Sequence, residues 1–265
     1  MAQNRQKQKT KKEVDDEVYE LQKQRELNSL KKGRFTKQEL ESRQIELSPK
    51  QHDLYKGIRN NTLTVCQGPA GTSKTFTACY TSLALLADRK IEQIILTKPI
   101  QESGENLGFL PGTKEEKVDP YMKSYFSNFE KIIGKSQFDW MIATDQIIVE
   151  PLAYMRGTTY DNAVMLLDEA QNCTMTQLML WVTRLGKDSK AIMMGDVSQY
   201  DIKKRDSRFL EFIEMIQGTN QIYNHNFSSE DIVRNKFLIE IVNKYEKWKS
   251  VNDNNTTNQQ QRRDY

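Results

Sequence analysis

The sequence predicts an α/β fold in which a mostly parallel sheet is sandwiched by helices. Three observations lead to this prediction. Apolar runs of strand length alternate with helical patterns along most of the chain, as is typical of parallel sheets. The run at residues 163–168 is apolar up to its closing acid, like a strand buried on both faces. The run at residues 62–66 leads into a glycine turn that precedes a helix, which is the order found in phosphate-binding folds.

Residues 1–45 are predicted to form a basic extension that is partly helical and partly disordered. Residues 1–37 hold eleven Lys or Arg and six Asp or Glu, whereas the whole chain of 265 residues holds 39 and 36. Such a tail adheres to nucleic acid or solubilises the protein, and the sequence leaves both interpretations open. Thr36 followed by Glu39 predicts a capping box that starts a short helix.

The folded domain is predicted to span residues 46–248, followed by a disordered polar tail at residues 249–265. Ser48 and Pro49 predict the start of its first helix. The glycine-punctuated segment 99–119 is interpreted as a functional or mobile loop. Strands are predicted at 62–66, 93–97, 146–150, 163–168, 190–194 and 221–223. Helices are predicted at 49–59, 74–87, 120–134, 174–185, 207–217 and 231–247.

The glycine turn after the first strand has the layout of a phosphate-binding P-loop. Lys74 is predicted to reach the β- and γ-phosphates of ATP, and the Thr75 hydroxyl to bind Mg²⁺. The backbone N–H groups of the loop and of the following helix would point at phosphate oxygens. The P-loop motif requires Gly directly before the Lys, where this chain has Ser73. The predicted nucleotide-binding residues are Gly68, Pro69, Ala70, Gly71, Thr72, Ser73, Lys74 and Thr75.

Two acids close the most apolar strand. The carboxyl ends of parallel strands are where open α/β sheets bind ligands, so Asp168 is predicted to hold Mg²⁺. Glu169 is predicted to activate the attacking water as a general base. The alternative is that both acids enter a solvated turn, which is less consistent with a P-loop upstream.

Two glutamines are further candidates. Gln199 follows another strand end and is predicted to sense the γ-phosphate or to orient water. Gln51 is predicted to bond the donor and acceptor edges of adenine, or to cap its own helix, and both roles are compatible.

Phosphoryl transfer also needs positive charge for the transition state. Arg156, Arg184 and Arg234 are the candidates, and Arg234, which opens the last predicted helix, is assigned to the catalytic set. Lys98 is predicted to meet a phosphate of nucleic acid or of the nucleotide, unless it is a solvated loop lysine. Aromatic residues around the long loop could stack bases or pack inside the fold; they are Phe109, Tyr121 and Tyr125.

Other classes of protein are not favoured. No run approaches the roughly 18 apolar residues of a membrane span, and the basic start is not a signal peptide. Three scattered cysteines predict reduced thiols and a cytoplasmic location. The two histidines stand apart and form no zinc motif.

The motifs together resemble the PhoH family, most closely its phage-type PhoH-like proteins. The resemblance spans about residues 47–245, and its middle motifs are specific to that family. The matching stretches are 68–75, 104–112, 116–120, 151–157, 167–172, 183–186 and 195–199.

The resemblance implies a P-loop NTPase with a RecA-like core, similar to the first domain of superfamily 1 helicases. It implies ATP hydrolysis with Mg²⁺, coupled to single-stranded RNA or DNA, and a homo-oligomer that forms hexameric rings in several relatives. PhoH-like proteins are also described as linked to phosphate starvation. The chain departs from the family at Ser73, and no nuclease domain or second helicase domain is recognised.

Two other functions remain open from the sequence. A nucleotide-gated binding or assembly protein without turnover is compatible with Ser73. A small-molecule P-loop kinase is less consistent, because the pair Asp168 and Glu169 suits hydrolysis by water.

Overall fold

The computed structural model describes residues 35–99, 114–197 and 208–233, together with residues 237, 239–241, 243–245 and 248. For residues 114–120 it describes the backbone. The helices are α1 (Lys37–Glu41), α2 (Pro49–Asn60), α3 (Lys74–Ala87), α4 (Lys114–Ile133), α5 (Lys135–Ala143), α6 (Met175–Val182) and α7 (Phe209–Met215). The strands are β1 (Leu63–Gln67), β2 (Gln93–Thr97), β3 (Ile147–Val149), β4 (Ala163–Leu167), β5 (Lys190–Gly195) and β6 (Ile222–Asn226).

The strands form one sheet in the order β3-β2-β4-β5-β1-β6. Every pair of neighbours among these described strands is parallel, which confirms the predicted α/β fold. Because parallel strands end at the same edge, the segments that follow β1, β2, β4 and β5 come together there. We call this side the carboxyl edge of the sheet and the opposite side the amino edge.

Successive strand residues pack on opposite faces of the sheet, as the pleat requires. On one face, Leu54, Leu83 and Phe129 belong to a core cluster that joins the sheet to α1–α5. On the other face, Trp181 and Phe212 belong to a second cluster with α6 and α7. Both faces of the sheet are therefore covered, which explains why its central strands are mostly apolar.

The predicted capping box at the amino-terminal side is present. The Thr36 hydroxyl accepts from the Glu39 backbone N–H, and the Glu39 carboxylate accepts from the Thr36 N–H. Phe35 and Leu40 are buried in the first core cluster. Part of the predicted extension therefore packs on the domain, and the boundary near residue 45 stays a prediction.

Several predicted boundaries differ from the structure. Helix α5 was not predicted, and its start at Gly134 has no side-chain cap that could mark it in the sequence. Helix α4 begins at Lys114 rather than at 120, so the segment 99–119 is not loop throughout. The final helix does not begin at 231, because Ser229–Asp231 is a 3-10 helix and residues 232–233 are not helical.

The described part of the chain contains no helix that is long and apolar enough to cross a membrane. The three cysteines are free and buried, as predicted; they are Cys66, Cys79 and Cys173.

Candidate nucleotide site

A cavity of about 620 Å³ opens at the carboxyl edge. It receives the loop after β1, the acids after β4 and the residues after β5, as the sequence predicted. Helix α2 contributes Gln51 and helix α4 contributes Asn128 and Lys131. The predicted site residues on its wall are Gln51, Ala70, Gly71, Ser73, Lys74, Thr75, Asp168 and Glu169.

The backbone conformation of the loop favours glycine at two positions. Gly68 has φ 146°, and a Cβ at this position would lie 2.6 Å from the Phe227 Cβ atom. Gly71 has φ 90°, in the region that favours glycine. The Thr72 hydroxyl donates to the Pro69 carbonyl at 3.0 Å and closes the loop on itself.

Ser73 adopts the left-handed conformation, with φ 65° and ψ 29°, directly before α3. A residue with a Cβ in this conformation costs roughly 1–2 kcal/mol. The Ser73 side chain makes no capping hydrogen bond in return. The departure from the P-loop motif therefore falls at a position whose backbone suits the glycine that the motif requires.

The two residues that end the P-loop contact its own backbone and the acid of β4. The Lys74 ammonium donates to the carbonyls of Gly68 and Pro69, at 2.5 and 3.0 Å. The Thr75 hydroxyl donates to the Asp168 carboxylate at 3.1 Å. A hydroxyl and a carboxylate oxygen thus face one cavity, beside a lysine that can turn toward an anion.

Asp168 is only 5% exposed. Burial raises its pKa, and the neighbouring Glu169 raises it further, whereas Lys98 and Lys74 oppose the rise. The ionised form of Asp168 is therefore held in an environment that disfavours it. A divalent cation at this position would remove that penalty, because it favours the ionised carboxylate.

Glu169 lies in the left-handed conformation, with φ 57° and ψ 38°, and its side chain has two partners. The Lys98 ammonium lies 3.5 Å from Oε1 of Glu169. The Gln171 amide donates to Oε2 at 2.7 Å. Gln171 also accepts from the Asp196 N–H at 3.0 Å, so it connects the ends of β4 and β5.

Gln171 was not among the residues predicted for the site. Its amide lies two residues after Glu169, and in a regular helix two side chains at this spacing do not face each other. The left-handed turn at Glu169 followed by the 3-10 helix Ala170–Asn172 brings them together. The available signal was an amide that follows two acids at a strand end after a single alanine.

Gln51 forms the predicted cap. Its side-chain oxygen accepts from the Ser48 N–H at 2.9 Å, and its own N–H donates to the Ser48 hydroxyl. Gln51 is buried and also lines the cavity. The contact with adenine stays a prediction.

Other predicted residues lie elsewhere. Gln199, Arg234 and Phe109 fall outside the described residues. Arg184 donates to the Leu180 and Thr158 carbonyls, and it is not on the cavity wall. Tyr125 is fully buried and donates to the Thr97 carbonyl, so of its two predicted roles the structure confirms packing inside the fold and excludes base stacking.

Mg²⁺ fits the oxygen pair of Thr75 and Asp168, because this ion prefers oxygen ligands and is usually held by one or two carboxylates plus phosphates. The described residues contain no group of three or more His, Cys, Asp or Glu side chains suited to a metal. A site shared with substrate phosphates needs no such group.

The parallel sheet and the loop after β1 have the fold of the P-loop NTPase class. The sequence profile of the family "PhoH-like protein" matches residues 45–246. The chain belongs to this PhoH family.

Two relatives illustrate the membership. A PhoH-like protein of Bacillus subtilis is 39% identical over 198 residues, covering 74% of this chain and 62% of the relative. Protein PhoH of Escherichia coli K12 is 32% identical over 193 residues, covering 72% and 54%. The chain thus spans about half to three-fifths of the length of these curated relatives.

Solved structures that match part of the chain include a large terminase from a thermophilic bacteriophage, with a TM-score of 0.48 and 10% identity. The match covers 72% of this chain and 48% of the terminase chain. A Bacteroides Pif1 bound to single-stranded DNA has a TM-score of 0.28 and 14% identity, covering 69% and 42%.

Proposed function

We propose that the protein hydrolyses ATP to ADP and phosphate and couples this to single-stranded nucleic acid, with RNA favoured over DNA, as in helicase-like ATPases. The observation that carries the proposal is the convergence of Lys74, Thr75, Asp168 and Glu169 on one cavity. A P-loop with a cation site can bind a nucleotide, and the second acid adds the group that hydrolysis needs.

The P-loop residues bind the phosphates in this proposal. The N–H groups at the start of α3 have no partners within the helix and can bond phosphate oxygens. Lys74 exchanges its two carbonyl partners for the β- and γ-phosphates. Thr75 and Asp168 hold Mg²⁺, which supplies positive charge against the charge that develops during phosphoryl transfer.

Glu169 is the proposed general base. Its carboxylate lines the cavity and is anchored at both oxygens, so its position is defined before the substrate arrives. A positioned base accelerates proton transfer by about 10²–10⁴-fold. Gln171 orients the Glu169 side chain by donating to Oε2.

The remaining assignments are extensions of the same proposal. Gln199 senses the γ-phosphate, and Arg234 supplies charge to the transition state, from the same chain or from a neighbour in a homo-oligomer such as a hexamer. The domain comprises residues 46–248, between a basic extension and a polar tail. Adenine is bonded by Gln51.

A second candidate is a nucleotide-gated binding protein without turnover. Two observations favour it. Ser73 has a strained backbone conformation in the loop, and Lys98 is ion-paired with the proposed base. It predicts ATP binding with no release of phosphate.

The test is phosphate release from Mg·ATP by the full chain, with and without oligouridylate RNA, beside Lys74→Ala. We expect turnover that RNA stimulates and that Lys74→Ala reduces by at least about 100-fold, since the lysine serves the transferred phosphate. ATP binding without turnover in the unmodified protein would support the second candidate instead.

A further inference from the structure

The two partners of Glu169 differ in chemistry. Gln171 is neutral and 2% exposed, and it ties Oε2 to the end of β5. Lys98 is charged, follows β2, and ties Oε1 to the neighbouring strand end. The Lys98 side chain is 18% exposed, so this ion pair is partly shielded from water.

The ion pair has a consequence for catalysis. The Lys98 ammonium lies at Oε1, the oxygen that Gln171 leaves open, and it therefore competes with an attacking water for this side of the carboxylate. Lys98 therefore restrains the proposed base. If Lys98 leaves, Gln171 still holds Glu169 in place through Oε2.

A surface suited to a polyanion adjoins Lys98. Met155 is fully buried, and its sulfur accepts from the hydroxyl of Thr97, the residue before Lys98, at 3.6 Å. This contact fixes the loop around Met155 beside the end of β2. On either side of Met155, Tyr154 is 60% exposed and Arg156 is exposed.

A further cation, Arg184, contacts this loop. The Arg184 guanidinium donates to the Thr158 carbonyl and holds the loop against the end of α6. An exposed aromatic ring beside several cations is the combination that binds single-stranded nucleic acid, because every base can stack and every nucleotide has a phosphate.

We propose that single-stranded nucleic acid binds the surface formed by Lys98, Tyr154 and Arg156, and that a backbone phosphate takes the Lys98 ammonium from Glu169. A base stacks on Tyr154, and Arg156 contacts a phosphate. The release of Glu169 then raises the rate of ATP hydrolysis. This inference rests on the proposed function and adds the contact through which the nucleic acid acts.

The coupling is tested with Lys98→Ala in the full chain. We expect basal ATP turnover to rise by about threefold or more, and stimulation by oligouridylate to disappear. The reason is that the substitution and the displacement of the Lys98 ammonium by a phosphate both free Oε1 of Glu169. Lys98→Arg keeps the charge and should keep the stimulation by oligouridylate. Lys90→Ala is the matched control, since it removes a lysine that precedes β2 at the amino edge and should change neither quantity.

The surface is tested by the binding of labelled oligouridylate and oligothymidylate. Tyr154→Ala should weaken binding by about fivefold or more, whereas Tyr154→Phe keeps the ring and should bind like the unmodified protein. Arg156→Ala and Lys98→Ala should each lower the salt dependence of the affinity by about one released ion. Similar losses for both oligomers indicate recognition of features common to RNA and DNA.

The outcomes separate this inference from the proposed function. If RNA stimulates the unmodified protein but Lys98→Ala lowers basal turnover or leaves it unchanged, the proposed function stands and the release of Glu169 is wrong. If Tyr154→Ala binds both oligomers normally, the surface is wrong. If the unmodified protein has no turnover, the proposed function fails and the coupling fails with it.

Discussion

The two edges of the sheet differ in the charge that lies next to an aspartate. At the amino edge, Asp88 caps α3 and lies 2.6 Å from the Arg59 guanidinium, an opposite charge. At the carboxyl edge, Asp168 adjoins Glu169, a like charge, in a more buried position.

Backbone strain does not distinguish the two edges. Left-handed residues precede strands at the amino edge, as at Arg89 and Asp188, and they also follow strands at the carboxyl edge, as at Ser73 and Glu169. Turns between helices and strands need such residues at both edges. The like charge of Glu169 beside the buried Asp168, however, does not favour the folded state, so it supports the proposal that this edge binds a ligand.

The largest expected effect is on catalysis at the carboxyl edge. Glu169→Gln keeps the size of the side chain and removes the proton acceptor, so kcat should fall by about 100-fold or more while ATP binding remains. Asp188→Asn makes the same kind of change at the amino edge and should leave kcat unchanged. Steady-state phosphate release measures both variants. A Glu169→Gln protein with normal kcat would refute the proposed base.

The next effect is a pair of opposite changes in stability, measured by thermal unfolding with EDTA. Asp168→Asn removes a buried charge that faces Glu169, so the melting temperature should rise. Asp88→Asn removes the partner of Arg59 and should cost about 0.5–1 kcal/mol. Each kcal/mol corresponds to roughly 2–4 °C for a domain of this size. If both substitutions destabilise the protein, the contrast between the edges is not real.

The stabilisation by Asp168→Asn should depend on pH. The pKa of Asp168 is raised above its ordinary value of 3.8 in the folded state, mainly by burial. At a pH between the unfolded-state and folded-state pKa of Asp168, the folded state binds more protons than the unfolded state. The unmodified protein therefore loses stability as pH rises through this window. The advantage of Asp168→Asn should therefore be smallest below about pH 4 and grow as pH rises. A difference that is independent of pH would contradict the assignment.

The smallest effect is expected in the P-loop backbone. Ser73→Gly should stabilise the protein by up to about 1 kcal/mol, because glycine adopts the left-handed conformation without the cost of a Cβ. Ser82→Gly is the matched control, since Ser82 lies inside α3, bonds the Ala78 carbonyl and should destabilise the protein when replaced. Chemical denaturation of both variants measures the difference. A loss of stability in Ser73→Gly would contradict the strain at this position.

The sequence predicted the strands and the P-loop well because their signals are local. Apolar runs such as 163–167 define buried strands, and Gly68 with Lys74 defines the loop. Helix α5 was missed because it has no capping side chain and follows α4 after a single glycine. The last three residues of β6 were missed because this strand lies at the end of the sheet and carries polar residues, including Asn224 and Asn226.

The contacts of the site were less predictable than its residues. Lys98 and Glu169 form an ion pair because β2 and β4 are neighbours in the sheet. Neither motif predicts this strand order. Gln171 meets Glu169 because of a left-handed turn that no local pattern predicted. The sequence left base stacking and packing open for Tyr125, and its full burial on α4 decides for packing.

A calorimetric titration with Mg·ATP measures nucleotide binding by the unmodified chain, Asp168→Asn and Asp88→Asn. We expect the unmodified protein and Asp88→Asn to bind ATP alike, and Asp168→Asn to bind more than about tenfold more weakly, since a carboxylate ligand of the cation is lost. Equal binding by all three proteins would contradict a nucleotide site at the carboxyl edge.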